Sequence, residues 1–295
     1  MKNRTHNPAS SQIVPVASGQ QPGDRATGSG RVEFDAATFL KARAATDDRD
    51  VYVEWTGSIY AMLPGEPQRQ LFDIVGMNVA RGLQKDDGSW SMLSRELTYY
   101  LDPQTGDVLH QWVNPWTGDC LPVVHVANDP VEAHLSGSFA ATLAGDSAIF
   151  TCDVFPTYPN PLGNDPRFRD YSPDPNYSAA EFFKLAVSLT ELLDPERPAV
   201  DSMTVAWHRI GPWLPWMKMG DRPGQLVYSA CGQRVECFEA LPTLLQSEIC
   251  DRLPKYRHAP ARPSQRKNMT SWQYFKENFE AYLRGELFPL PEMAA

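Results

Sequence analysis

The sequence predicts a mainly β or α+β protein, in which an antiparallel sheet is strongly curved or barrel-like and a few helices flank it. Runs rich in Val, Ile, Tyr, Trp and Leu recur from residue 51 onward and are separated by Pro, Gly and Asp. Turn sequences follow one another closely among these runs. Helical patterns are few and do not alternate with the strands, which disfavours a doubly wound parallel sheet.

The strand-like runs define the predicted sheet. Two turns, at 102–106 and 114–118, each carry Pro at the second position and Gly at the last, which predicts successive hairpins and a meander. Together these runs supply enough strands for a barrel or a strongly curved sheet. The predicted strands occupy 51–64, 71–85, 89–102, 148–155, 202–210 and 225–238.

Four segments are predicted to be helical. Residues 34–45 are rich in Ala, Lys, Arg and Leu, with Asp35 near the start. Residues 178–193 open on a capping-box pattern and carry apolar residues at helical spacing, and 270–285 show the same pattern with Gly at the end. Residues 241–253 form a weaker candidate.

The domain organisation follows from composition. Residues 1–30 are rich in Ser, Gly, Pro, Asn and Gln and poor in large apolar groups, which predicts a disordered or extended arm. Residues 31–290 are expected to form one barrel-like domain ending in a helix.

The charge balance and the missing motifs exclude several classes of partner and cofactor. Lys and Arg number 27 against 36 Asp and Glu, a net charge of −9, so neither nucleic acid nor an anionic membrane is an expected partner. No apolar run approaches the ~18 residues of a membrane span, and no signal-peptide core is present, so we expect a cytoplasmic protein.

Five cysteines without metal-ligand spacing predict buried thiols in a reducing compartment. Dinucleotide, nucleotide-triphosphate, zincin and calcium motifs are missing, so neither a cofactor nor a metal is predicted.

Two histidines are candidate proton-transfer groups. His125 lies in an alternating apolar run, so its ring is expected on the face opposite Val124 and Val126. His208 lies beside Arg209 in a similar run. An imidazole titrates near neutral pH and suits acid–base catalysis. The alternative for each is a structural histidine, satisfied by a neighbouring carbonyl or carboxylate.

Aromatic and amide residues in the same strands are candidate ligand contacts. Tyr99 and Tyr100 are adjacent, so one phenol must face inward in a regular strand, and we take Tyr100 as the candidate. Asn114 and Asn128 each precede a turn, where short amides commonly bond to the backbone instead.

Residues 213–224 contain two Pro and two Gly, which exclude a continuous helix or strand. The indole and thioether side chains at Trp213, Trp216 and Met219 predict a lid or the rim of a pocket. Arg222 is positioned to bind a carboxylate or phenolate, and the alternative is an ion pair with Asp221.

Several blocks resemble a known family. The blocks are WxGxxY at 55–60, the segment 97–131 with its NPWTG and VVHVANDPV sequences, and WLPWMKMGDRPG at 213–224. They resemble an uncharacterised bacterial family known as a domain of unknown function, over roughly residues 35–285. The aromatic-rich composition is more loosely similar to cofactor-free lyases that cleave lignin-derived aromatic dimers, which implies an acid–base reaction in an aromatic pocket.

The first functional hypothesis is therefore a cofactor-independent lyase or isomerase acting on a bulky aromatic small molecule, with formaldehyde-releasing cleavage of a lignin-type diol as its concrete form. The alternative is a lipocalin-like protein that binds an apolar ligand without transforming it. A homodimer through exposed Trp and Met is a third interpretation. The predicted catalytic residues are His125, His208, Tyr100, Arg222 and Asp221, and the predicted ligand contacts are Trp55, Tyr60, Asn114, Trp116, Asn128, Tyr171, Arg209, Trp213, Trp216 and Met219.

Overall fold

A ten-stranded antiparallel sheet dominates the structure and curves into a half-barrel, which confirms the predicted fold class. The computed structural model describes residues 30–291. The sheet order is β1-β8-β9-β12-β13-β14-β2-β3-β4-β7, and β5–β6 and β10–β11 form separate two-stranded sheets. The strands are β1 (Arg31–Asp35), β2 (Val51–Met62), β3 (Arg69–Gln84), β4 (Trp90–Leu101), β5 (Gln111–Val113), β6 (Cys120–Pro122), β7 (Val126–Leu135), β8 (Ser138–Ala144), β9 (Ser147–Val154), β10 (Thr157–Pro159), β11 (Asn176–Ser178), β12 (Ala180–Ser188), β13 (Met203–Gly211) and β14 (Gln225–Val235).

The described residues contain five short α-helices. Three of the four predicted helical segments are confirmed: Asp35 caps the first by accepting from the Thr38 N–H at 2.7 Å, and Thr270 caps the C-terminal pair in the same way. The helices are α1 (Ala36–Arg43), α2 (Leu189–Leu193), α3 (Thr243–Asp251), α4 (Ser271–Glu277) and α5 (Phe279–Leu283), with 3-10 turns at Pro166–Phe168, Pro215–Met217, Phe238–Ala240 and Pro254–Arg257.

The prediction of a helix over 178–193 is wrong. Residues 180–188 form β12, which pairs with β9 on one side and β13 on the other, and only α2 is helical. Alternate residues Phe183, Leu185 and Val187 face the concave side, so the segment satisfies a period of two as well as a helical period. Two neighbouring strands with unpaired edges favour the extended form.

Both predicted turns are confirmed. Gly106 and Gly118 end them with φ of 77°, the left-handed region that glycine adopts without strain. Asp102 and Asn114 open them, each accepting backbone N–H groups with its side-chain oxygen.

Three apolar clusters surround the sheet. The α1 cluster joins α1 to residues of β1, β4, β7, β8, β9, β12 and β13, so strands from both ends of the sheet meet beneath this helix. The C-terminal cluster joins α4, α5 and residues 213–219 to the concave face of β2, β3 and β14. The outer cluster places α3 on the opposite face of β3 and β4. The half-barrel is therefore covered at both ends of its concave face.

The cysteine prediction holds in part. All five thiols are free among the described residues, but only Cys152 is partly buried, and the other four are exposed. Within residues 30–291 we find no helix of the length and apolarity that a membrane crossing needs. The predicted N-terminal arm falls almost entirely outside the described residues.

Candidate functional site

A polar layer separates the α1 cluster from the C-terminal cluster inside the half-barrel. Along β3, Phe72 and Ile74 belong to the C-terminal cluster and Ala80 to the α1 cluster. Gly76 and Asn78 lie between them on the same face, because alternate residues of a strand share one face. The same alternation places Glu96 and Thr98 of β4 in the layer, where they pair with Asn78 and Gly76.

The other side of the layer comes from β12, β13 and β14. Glu181 is paired with Arg209, and Arg209 with Tyr228, so their side chains share the concave face. The electrostatic influence of Glu181 and Arg209 on Glu96 shows that the two sides face one another. Six strands of the sheet order, from β12 to β4, thus surround one group of charges.

Aromatic rings form the wall of the polar layer. Trp55 packs against both apolar clusters and meets Trp207 edge-to-face, with ring centroids 6.4 Å apart. Phe183 stacks on Trp207 with centroids 6.2 Å apart and an interplanar angle of 11°. Gly76 makes room for the indole, because a Cβ there would lie 2.4 Å from Trp55 Nε1. These partly exposed rings suit contact with a flat ligand.

Glu96 is the titratable group at the centre of the layer. Protein surrounds Glu96 on most sides, and part of its surface stays accessible. Its Oε2 accepts a hydrogen bond from Asn128 Nδ2 at 3.1 Å. Burial raises the pKa of Glu96 and the like charge of Glu181 adds to the rise, against the opposing effects of Asn128, Arg209 and Arg43. A carboxyl with a raised pKa can carry and release a proton nearer neutral pH.

Arg209 is the buried cation of the layer. Its Nη2 donates to the Tyr177 hydroxyl at 2.8 Å, its Nε lies 3.7 Å from Glu181, and its guanidinium covers the Tyr228 ring at 4.8 Å. Burial acts to lower the pKa of Arg209, but Tyr228, Tyr177 and Glu181 outweigh it and the pKa is raised. The guanidinium therefore stays charged.

Tyr100 and Tyr228 form a hydrogen-bonded phenol pair beside Arg209. Burial raises the pKa of both hydroxyls, and the charge of Arg209 opposes the rise in each. The pair stays protonated and provides hydroxyl groups at the border between the polar layer and the C-terminal cluster.

Several polar atoms of the layer are buried without a hydrogen-bond partner among the described residues. Buried polar groups in native proteins normally have partners, so a cluster of exceptions points to a ligand or ordered water. They comprise two donors and two acceptors: Trp55 Nε1, Arg209 Nη1, Asn78 Oδ1 and Asn128 Oδ1.

The structure brings four of the predicted site residues together in or beside this layer: Trp55, Tyr100, Asn128 and Arg209. His125 is buried nearby, but its ring packs on Tyr99 and Tyr100, and its Nδ1 accepts from the Tyr100 N–H at 3.1 Å. Burial lowers the pKa of His125 to about 3. His208 and Tyr60 lie on the outer face of the sheet, and His208 is exposed.

The predicted lid at 213–224 is largely buried core. Trp213, Trp216 and Met219 are each under a tenth exposed and belong to the C-terminal cluster. The Tyr282 hydroxyl donates to the Trp216 carbonyl at 3.0 Å, and Asn114 Nδ2 donates to the Met217 carbonyl at 3.1 Å. The segment has only one short 3-10 turn but is held on several sides, so its apolar side chains close the half-barrel.

The remaining predicted residues lie near this segment. Asp221 is exposed and Arg222 half-buried, and they form no ion pair with each other in the described part of the chain. Trp116 packs edge-to-face on Trp213 and donates to Glu66. Tyr171 packs in the aromatic group of α4 and α5.

Sequence reasoning missed Glu96, Glu181 and Trp207. Glu96 has the same strand parity as Tyr100, and a carboxylate at an inward position of an apolar strand was the available signal. The capping-box pattern that opens 178–193 includes Glu181 and predicts the start of a helix, which conceals the position of Glu181 on a strand.

A pocket of about 140 Å³ lies on the outer side of β7. Its charges are paired: Asp129 with Arg95 and Lys255, and Arg266 with Glu277. This pocket therefore lacks the unpartnered groups that mark the polar layer. No group of three or more potential metal ligands occurs among residues 30–291.

Fold and site together define a mainly β half-barrel protein with a charged, tryptophan-walled layer across its interior. The sequence model of the family described as "protein of unknown function (DUF1838)" matches residues 48–279, and the chain belongs to this family. The resemblance to a family of unknown function is thus confirmed, whereas the similarity to lignin lyases stays a prediction. No curated protein matches the chain.

Proposed function

We propose that the protein is a cofactor-independent lyase that acts by acid–base catalysis on a bulky aromatic small molecule bound in the polar layer. The observation that supports this most is Glu96, a carboxyl with a raised pKa that is influenced by the charge of Arg209, in a layer whose wall includes the indoles of Trp55 and Trp207. Acid–base lyases need a proton carrier, a group that stabilises developing negative charge, and a site shielded from bulk water.

Each role has a residue in the layer. Glu96 exchanges the proton, Arg209 stabilises an oxyanion or phenolate, and the two indoles contact the aromatic ring. This assigns to Glu96 the role expected of His125 or His208. The charge environment of His125 includes His110 and Arg252 but neither Glu96 nor Arg209, and His208 faces solvent.

A concrete form of the reaction is formaldehyde release from a lignin-type aromatic diol. A base removes the proton of the primary hydroxyl, the C–C bond to that carbon breaks as its C=O forms, and the released electron pair expels a protonated leaving group from the neighbouring carbon. One carboxyl can take both roles: its deprotonated form is the base that starts the reaction, and its protonated form is the acid that completes it.

The test is turnover of a panel of lignin-type diols, followed by formaldehyde release. We expect turnover by the native sequence and a loss of about 10²-fold or more in Glu96→Gln. Glu54→Gln is the matched control, because Glu54 lies on the outer face of β2. Unchanged substrate across the panel, with the fold intact by circular dichroism, would refute the proposal.

Ligand binding without catalysis is the second candidate. The unpartnered polar atoms of the layer favour binding alone as much as they favour a lyase. It predicts that a panel member raises the melting temperature without being consumed. The charges in the layer favour a phenolic or anionic ligand over a wholly apolar one. The homodimer stays a prediction, but Trp213, Trp216 and Met219 are buried within the chain and do not supply an exposed surface for it.

A further inference from the structure

Arg43 is a second cation of the layer, at the end opposite Arg209. It is the last residue of α1, and the backbone around it is held by Arg234, whose Nη2 donates to the carbonyls of Lys41 and Ala44 at 3.3 and 3.0 Å. Arg234 Nη1 also donates to the Val200 carbonyl. The position from which the Arg43 side chain extends is therefore fixed.

The surroundings of Arg43 place its guanidinium inside the half-barrel. The groups that act on its charge are Cys152 of β9 and Glu96 of β4, two strands that five others separate in the sheet order. One side chain is near both only if it lies across the concave interior. Protein surrounds Arg43, yet part of its surface is accessible.

Arg43 also lacks a partner among the described residues, since it forms no ion pair and no side-chain hydrogen bond there. Several other inward or half-buried arginines do have partners: Arg209 bonds to Tyr177, Arg81 to Asp50 and Arg95 to Asp129. A guanidinium carries five donors and one charge, and the accessible part of Arg43 leaves its donors open to an acceptor on a ligand.

We propose that Arg43 binds a carboxylate on the ligand, so that the substrate class is a bulky aromatic carboxylic acid. This deepens the proposed function and rests on it. The aromatic part lies against Trp55 and Trp207, the carboxylate meets Arg43 at the α1 end, and the reacting oxygen lies toward Arg209 at the other end. The ligand's length is thereby fixed along the layer.

The charge balance favours a carboxylate over a phosphate. The planar fork of a guanidinium matches the two oxygens of a carboxylate. Glu96 and Glu181 are acidic groups of the same layer and repel a dianion such as a phosphate monoester. A monoanion gains the attraction of Arg43 with less of this repulsion.

The experiment compares acids with their methyl esters. Biphenyl-4-carboxylate, 2-naphthoate and 4-hydroxycinnamate are each titrated beside the matching ester by calorimetry, with 2-naphthyl phosphate as the dianion. The native sequence is expected to bind at least one acid about tenfold or more tightly than its ester, and tighter than the phosphate. Arg43→Gln is expected to bind acid and ester alike, and Arg43→Lys to keep part of the preference.

Arg49→Gln is the matched control, because it removes one positive charge from an exposed arginine that pairs with Asp47. It is expected to keep the full preference for acids. Melting curves confirm that each variant is folded. A preference for acids that survives in Arg43→Gln, or native protein that binds esters as tightly as acids, overturns the carboxylate assignment and leaves the proposed function standing. Binding of neither acids, esters nor the lignin-type diols overturns both.

Discussion

The buried His125 predicts a defined loss of stability in mild acid. Its ring is 1 % exposed, packs between two tyrosine rings, and uses Nδ1 as an acceptor for the Tyr100 N–H. Burial lowers its pKa from 6.5 to about 3, so the fold holds the neutral form. The unfolded chain takes up a proton as the pH falls below 6.5, and the folded chain does not.

The magnitude follows from this difference in proton uptake. Between the two pKa values the unfolded state binds more protons, so stability decreases as the pH falls, by ~1.4 kcal/mol per pH unit. At pH 5 the loss is about 2 kcal/mol relative to pH 8, a large part of the ~5–15 kcal/mol typical of a folded protein.

The assay is urea unfolding at pH 5, 6, 7 and 8 for the native sequence and for His125→Asn. Asparagine keeps an acceptor near the position of Nδ1 but does not titrate, so the variant is expected to lack this part of the pH dependence while being less stable throughout. His208→Asn is the control, because an exposed imidazole is hydrated in both states. Equal slopes of unfolding free energy against pH in the native sequence and His125→Asn would refute the reasoning.

Three further predictions concern single side chains. Glu96→Gln is expected to remove a decrease in stability that the native sequence shows as the pH rises above 4.5, because the fold favours the protonated carboxyl; parallel pH–stability curves would contradict this. Gly76→Ala is expected to displace Trp55 and to cost about 1–3 kcal/mol, measured by urea unfolding and by a shift in indole fluorescence, whereas an unchanged spectrum and stability would show that the ring has room. Asn114→Ala is expected to cost about 2–3 kcal/mol, because it removes the turn bonds and the link to the Met217 carbonyl; a loss below ~0.5 kcal/mol by urea unfolding would count against that role.

Local chemistry made most of the sheet predictable. Alternating apolar residues predict strands, and the Pro and Gly residues at 102–106 and 114–118 predict turns. Both patterns involve only residues that are close in sequence, and the structure has strands and turns at these places. The helical prediction for 178–193 fails for the opposite reason. Its period fits both structures, and the choice is made by hydrogen bonds to β9 and β13, which are distant in sequence.

The site was predictable only where residue type and strand parity agreed. For Tyr99 and Tyr100, strand alternation predicts only that one phenol faces inward, and Asn128 is a candidate because short amides occur beside turns. Glu96 meets Arg209 only because the sheet curves, and no local pattern specifies which strands face each other across the interior. The segment 213–219 shows that composition alone is not sufficient, because its apolar residues are compatible both with a lid and with the buried core that the structure shows.

The 16-residue length of β3 bears on how the interior could receive a guest. This strand runs from one covered end of the half-barrel through the charged layer to the other, and hydrogen bonds tie it to neighbours on both sides over most of its course. A wall built from continuous strands resists local widening, so a guest bound as proposed would have to fit among the side chains of the layer without moving the strands. Selection among related molecules would then depend on shape at entry, and distant substitutions along β3 would alter which ones are admitted.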